Sequence, residues 1–124
     1  MEYSDLTVQT ILSYFPEFQK EIYNELSFWG DDEVPKHCLF GNCFNNNLKN
    51  LLDYMKNIDL IRRIFKFYEY LATEGDDEVK NLLQVTLLEP LWDDSCIYRK
   101  ALSFMGANTL AINSQILQYL NEPK

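Results

Sequence analysis

One histidine and three cysteines are the residues best suited to metal or nucleophile chemistry: His37, Cys38, Cys43 and Cys96. A structural zinc site pairs its ligands closely, as C-x2-4-C or H-x3-5-H. Adjacent His37 and Cys38 followed by Cys43 do not match, and neighbouring residues rarely aim at one ion. A Cys–His nucleophile pair needs a third group to orient the base, and nothing selects one. A Ser-His-Asp triad would have to use His37 as well. No G-x-S-x-G, P-loop or dinucleotide glycine pattern is present. The sequence therefore predicts no metal, no cofactor and no catalytic centre. His37 reads as a loop histidine and Cys38 and Cys43 as packed thiols, the three cysteines being reduced in a cytoplasmic protein.

The remaining candidates are carboxylates. Nineteen acids face eleven bases, for a formal charge of −8. They gather as Asp31-Asp32-Glu33, Asp76-Asp77-Glu78 and Asp93-Asp94. Consecutive acids do not meet the alternate-position oxygens of an EF-hand. Each run lies beside a helix-breaking residue, where solvation explains it without invoking perturbed catalytic acids. Such a field repels nucleic acid and anionic membrane and attracts basic partners. Arg62, Arg63 and Lys66 form the only basic patch, placed on the solvent side of a helix with Glu69 and Glu74 as neighbours. Trp29 and Trp92 each precede an acidic run, combining an apolar anchor with a charged rim as interfaces do. Both tryptophans also suit the end of a packed helix.

The elements that must carry these residues read as helical. At 124 residues one domain over 1–124 is expected, with a core that needs no staples. Apolar residues make up 47% and aromatics 15%, too many for disorder, and the four glycines and four prolines are too few for an all-β chain. No apolar run is long enough for a membrane span. The acidic start, Met1-Glu2-Tyr3-Ser4-Asp5, does not resemble a secretory signal.

Val8, Ile11, Leu12 and Phe15 share a helix face, with Ser4 as its cap. Pro16 interrupts it or opens a second helix, striped by Phe18, Ile22, Leu26 and Trp29 and ended by Gly30. Residues 30–42 read as irregular, because Gly30, Pro35 and Gly41 are breakers. Phe44, Leu48, Leu51, Leu52 and Met55 form the next face, with Asn45-Asn46-Asn47 at its start. Ile61, Ile64, Phe65, Tyr68, Leu71 and Ala72 make the clearest stripe, stopped by Gly75. Residues 78–91 are apolar nearly all round and predict a buried helix that begins at the acids Asp76–Glu78 and breaks at Pro90. A strand over Leu82–Leu88 is the alternative. Ile97 to Met105 closes at Gly106. Ile112, Ile116, Leu117 and Leu120 define a last helix. The fold class is thus all-α, a compact bundle of about six helices.

Gly30-Asp31-Asp32-Glu33-Val34 recurs as Gly75-Asp76-Asp77-Glu78-Val79, forty-five residues on. That period fits HEAT-like helical hairpins, although two copies make no solenoid and Pro35 has only Lys80 as its counterpart.

Arg63-Ile64-Phe65-Lys66-Phe67-Tyr68-Glu69, Gly75 to Leu82, Leu87-Leu88-Glu89, Met105-Gly106, and Pro35-Lys36-His37 with Gly41 together resemble small acidic helical immunity proteins of bacterial toxin systems, including contact-dependent growth inhibition. The resemblance implies a cytoplasmic, non-enzymatic inhibitor that covers a cognate toxin. Nuclease toxins are basic, and an acidic inhibitor mimics their phosphate and associates fast. Asp31, Asp32, Glu33, Asp76, Asp77, Glu78, Asp93 and Asp94 are then expected to meet the partner's Lys and Arg, with Trp92 as anchor. A helical adaptor with no toxin partner is the alternative.

Overall fold

Apolar stripes at helical spacing need partner surfaces, and here they bury one another. The structure is a computed structural model that describes residues 1–121, with side-chain surroundings through Ile116. Seven α-helices and no strand are found among the described residues: α1 Val8–Tyr14, α2 Gln19–Trp29, α3 Lys36–Tyr54, α4 Ile58–Glu74, α5 Asp77–Leu82, α6 Ser95–Leu102 and α7 Ala107–Asn121. A 3-10 turn at Tyr3–Asp5 precedes α1, and another at Pro16–Phe18 leads into α2. Helix α3 packs on α2, α4 and α6, and α4 on α7. None of the described helices is long and apolar enough to cross a membrane.

The α4 stripe is buried as its spacing predicts, including Ile61, Ile64 and Tyr68 at 0% exposure. Aromatic rings lock the early helices onto it. Phe15 meets Phe44 edge-on at 5.2 Å, and Phe44 stacks on Phe67 at 5.8 Å. Leu117 and Leu120 have side chains outside the described residues.

Several boundaries move. Ser4 lies in the first 3-10 turn, and Thr7 is the α1 cap, its N–H donating to Thr10 Oγ1 at 3.1 Å. The irregular stretch ends at Pro35, not at residue 42: α3 begins at Lys36 and runs through Gly41. Gly41 serves a close approach, because a Cβ there would stand 3.2 Å from Thr86 Cγ2. The three asparagines are therefore mid-helix. Asn45 Nδ2 donates to the Thr86 carbonyl at 3.0 Å and Asn47 Nδ2 to the Cys43 carbonyl at 2.8 Å. Met55 leaves the helix in the left-handed region at φ 46° instead of extending its face. Leu26 is 44% exposed rather than packed.

Residues 78–91 are not one buried α-helix. After α5 the chain widens into π turns over Leu83–Leu88 and tightens to 3-10 turns over Glu89–Asp93, where Pro90 sits. Val79, Leu82, Leu83, Leu87, Leu88 and Leu91 are buried, while Val85 faces out. Gly106 does not close α6; it opens α7, its carbonyl accepting from Leu110 N–H at 2.9 Å.

The repeated pentapeptide folds two ways. In the second copy Asp76 caps α5, and Asp77, Glu78 and Val79 are helical. In the first, Gly30 takes φ 59° and residues 31–35 stay non-helical. The sixth residue decides this. Pro35 disfavours helical backbone at Val34, whereas Lys80 lets the helix start. The two copies are not equivalent repeat units.

Candidate functional site

Lys36 stands at the first turn of α3, and its ammonium reaches the N-terminal segment. Nζ donates to the carbonyls of Tyr3 at 2.9 Å and Leu6 at 2.7 Å, and lies 5.0 Å from the Tyr3 ring centre. Asp76 holds the same segment from the other side. Its Oδ2 accepts from Tyr3 N–H at 3.0 Å and its Oδ1 from Val79 N–H at 2.9 Å, while its own N–H donates to the Met1 carbonyl at 2.9 Å. The backbone donors from Val79 and then Tyr3 hold the Asp76 carboxyl below its ordinary value. One side chain thus caps α5 and clasps the chain start.

This clasp brings the two Gly-Asp-Asp-Glu-Val segments together. A shallow depression of about 500 Å³ is ringed by Glu2, Glu33, Asp76 and Glu78, four carboxylates against the single ammonium of Lys36. Burial, and then the Glu78 charge, hold the Tyr3 phenol on its wall above the ordinary value. At Glu33 and Lys36 the depression runs into a smaller groove of about 230 Å³ with apolar walls from Leu6, Val8, Leu26, Val34 and Leu39. An apolar trough beside an acidic rim is suited to a protein surface with a greasy centre and basic edges.

Of the nine residues singled out by sequence, three line the depression: Glu33, Asp76 and Glu78. Asp31 and Asp32 are exposed in the turn after Gly30 and do not line it. Asp77 points to a separate polar hollow with Lys80, Gln84 and Asn108. Asp93 is exposed, and Asp94 caps α6, accepting from Cys96 N–H at 2.9 Å and Ile97 N–H at 3.1 Å. Trp92 is half-buried, its ring tilted against Tyr98 with centres 4.4 Å apart, and its Nε1 donates to Asn113 Oδ1 at 3.1 Å. Asn113 in turn donates to the Tyr98 hydroxyl at 2.8 Å. Trp92 therefore joins α6 to α7, and its one donor is already used inside the fold. Glu2 escaped the sequence reading. Its acidity was visible, but its place beside Glu33 and Glu78 depends on contacts across more than thirty residues.

The thiols and the histidine are dispersed. Cys43 is buried in the core, and desolvation, then Glu21 and Glu25, push its thiol up to about 12. His37 Nδ1 pairs with Thr86 Oγ1, docking α3 on the π turns. Among the described residues no three His, Cys, Asp or Glu side chains come together as a metal site.

The basic patch is also rearranged. Arg63 forms an ion pair with Glu17 and donates to the Tyr14 carbonyl at 2.8 Å. Glu69 turns away from the patch to the start of α7, where it accepts from Thr109 N–H at 2.8 Å and Oγ1 at 2.9 Å. Its other oxygen accepts from Asn108 N–H at 3.1 Å and Nδ2 at 2.9 Å.

Comparison with curated proteins and with solved structures returns no match. A family model described as a domain of unknown function, DUF7674, covers residues 8–121, nearly the whole helical bundle, and the chain belongs to that family.

Proposed function

We propose that this domain is a non-enzymatic binding protein that captures a basic protein partner on the face made by the N-terminal turn, the 30–35 loop and the start of α5. The carrying observation is the convergence of Glu2, Glu33, Asp76 and Glu78 around one internally committed lysine, next to an open apolar groove. Lys36 spends two of its three donors on backbone carbonyls, so the rim offers net negative charge to a visitor. Together with the sequence resemblance, this supports an immunity role in which the partner is a cationic toxin domain, a nuclease in the simplest case, covered at its active site. Contact would centre on Glu33 and Glu78, with Leu26 and Val34 as the apolar floor.

The test is a binding titration against the product of the gene neighbouring this one, where that product is a basic toxin-like domain, at low and at physiological ionic strength. Glu33→Lys with Glu78→Lys should slow association by about tenfold at low salt and flatten its salt dependence. Unchanged association, or no protection of cells that express the toxin, defeats the reading. A helical adaptor without a toxin partner is favoured by α2, where Tyr23 is 70% and Phe28 80% exposed and neither lines the acidic depression. Binding lost on Phe28→Ala but not on the double charge reversal would select the adaptor.

A further inference from the structure

The face formed by α1 and α4 has the opposite character. A cleft of about 350 Å³ lies between them, lined by Tyr14, Phe15, Arg63, Lys66, Phe67 and Tyr70. Four of the six are aromatic. Phe15 and Phe67 form the floor at 1% and 2% exposure. Tyr14 and Tyr70 stand at the mouth, 45% and 40% exposed, with ring centres 6.4 Å apart. Tyr14 also leans on Phe67 at 5.0 Å. A small concave site with apolar walls and a few convergent polar groups is the usual form of a small-molecule pocket.

The two cations differ in their commitments. Arg63 is held by Glu17 and the Tyr14 carbonyl and lies 5.5 Å over the Phe15 ring, so it is part of the wall. Lys66 forms no ion pair and no hydrogen bond among the described residues. It follows Arg62 and Arg63 by one helical turn, a like-charge arrangement that costs a helix a few tenths of a kcal/mol per pair. The acid one turn on, Glu69, is fully engaged at the α7 terminus. In a molecule of net charge −8, Glu17 balances Arg63 at this mouth, and Lys66 is left without a counter-ion among the described residues.

We propose that the α1–α4 cleft binds a small molecule with a flat aromatic body and one anionic group, the ring laid against the exposed faces of Tyr14 and Tyr70 at the mouth and the anion on Lys66. The ring would exploit offset or edge contacts with the tyrosines. The anion would relieve the Arg62–Lys66 repulsion. This site is separate in chemistry and in lining from the acidic face, so either assignment can fail without the other.

The probe pair is 8-anilinonaphthalene-1-sulfonate and N-phenyl-1-naphthylamine, nearly the same rings with and without the anion, titrated into the full chain and followed by fluorescence and by amide NMR shifts. One saturable sulfonate site should shift amides in residues 11–18 and 62–71. Lys66→Glu should weaken the sulfonate about fivefold or more and leave the neutral probe within about twofold. Tyr70→Ala should weaken both. Arg99→Glu, the same charge change on α6, should alter neither. Unsaturable binding, shifts centred elsewhere, or equal losses from Lys66→Glu and Arg99→Glu would each overturn the proposal. Far-UV circular dichroism of each variant keeps loss of folding from being read as loss of the site.

Discussion

Glu69→Ala should cost this protein more than its half-exposed position suggests. Gly106 occupies the cap position of α7 and has no side chain to satisfy the first amides. Glu69, from α4, does so instead, taking two donors from Asn108 and two from Thr109. Losing a helix cap costs about 1 kcal/mol and up to about 2. Thr109 is 0% exposed, so its hydroxyl would also lose a partner away from water, at about 1–3 kcal/mol. A total near 2–4 kcal/mol is expected, after allowing for solvent reaching the outer pair. At about 2.1 cal/mol/K of unfolding entropy per residue, a chain this size loses about 4 °C of Tm per kcal/mol, hence about 8–15 °C.

The effect carries a pH signature. Burial raises the Glu69 carboxyl, but the hydrogen bonds from Asn108 and Thr109 outweigh it and the native value falls below 4.5. A lowered native value stabilises the fold fully above 4.5 and loses that contribution as pH drops through the native value. Thermal melts followed at 222 nm should therefore show a large deficit for Glu69→Ala at neutral pH that narrows in acid. Glu69→Gln, which keeps one acceptor, should fall between. A variant that melts within about 1 °C of the parent at neutral pH, or a deficit that does not shrink as pH falls below 4.5, would show that the cap is not what holds α7 on α4.

Other substitutions probe the packing. Gly75 needs its missing Cβ for space, because one would stand 2.4 Å from the Leu71 carbonyl and 2.5 Å from Val79 Cγ1. Gly75→Ala should destabilise by about 1–3 kcal/mol in urea unfolding, although its φ of −76° suits any residue. Tyr68 is fully buried and its hydroxyl has no partner among the described residues. Tyr68→Phe should be neutral or stabilising, by up to about 1 kcal/mol in the same assay; a clear loss would show that the hydroxyl is hydrogen-bonded in the folded protein. Thr86→Val keeps the methyl beside Gly41 but removes the hydroxyl bonded to His37. It should cost about 1 kcal/mol and speed amide exchange across Leu83–Leu88 before the rest of the chain.

What could be read in advance was whatever depends on near neighbours in the chain. The spacing of Ile61, Ile64, Phe65 and Tyr68 establishes both α4 and its buried face, since helical geometry alone brings those residues to one side. The same periodicity specifies an all-α fold, and the charge count specifies an acidic molecule. Tertiary structure decided which acids meet. Glu2, Glu33 and Glu78 converge because Lys36 and Asp76 clasp the N-terminal turn from two different helices, while Asp94 is diverted to a cap and Trp92 to a helix junction. It also decided the roles of Gly41 and Gly106, read from sequence as a breaker and a stop: a Cβ would meet Thr86 at Gly41 and, at 2.6 Å, the Glu69 carboxyl at Gly106. Local patterning encodes the period of a helix; a close approach between helices depends on residues forty positions apart, and no window along the chain contains both partners.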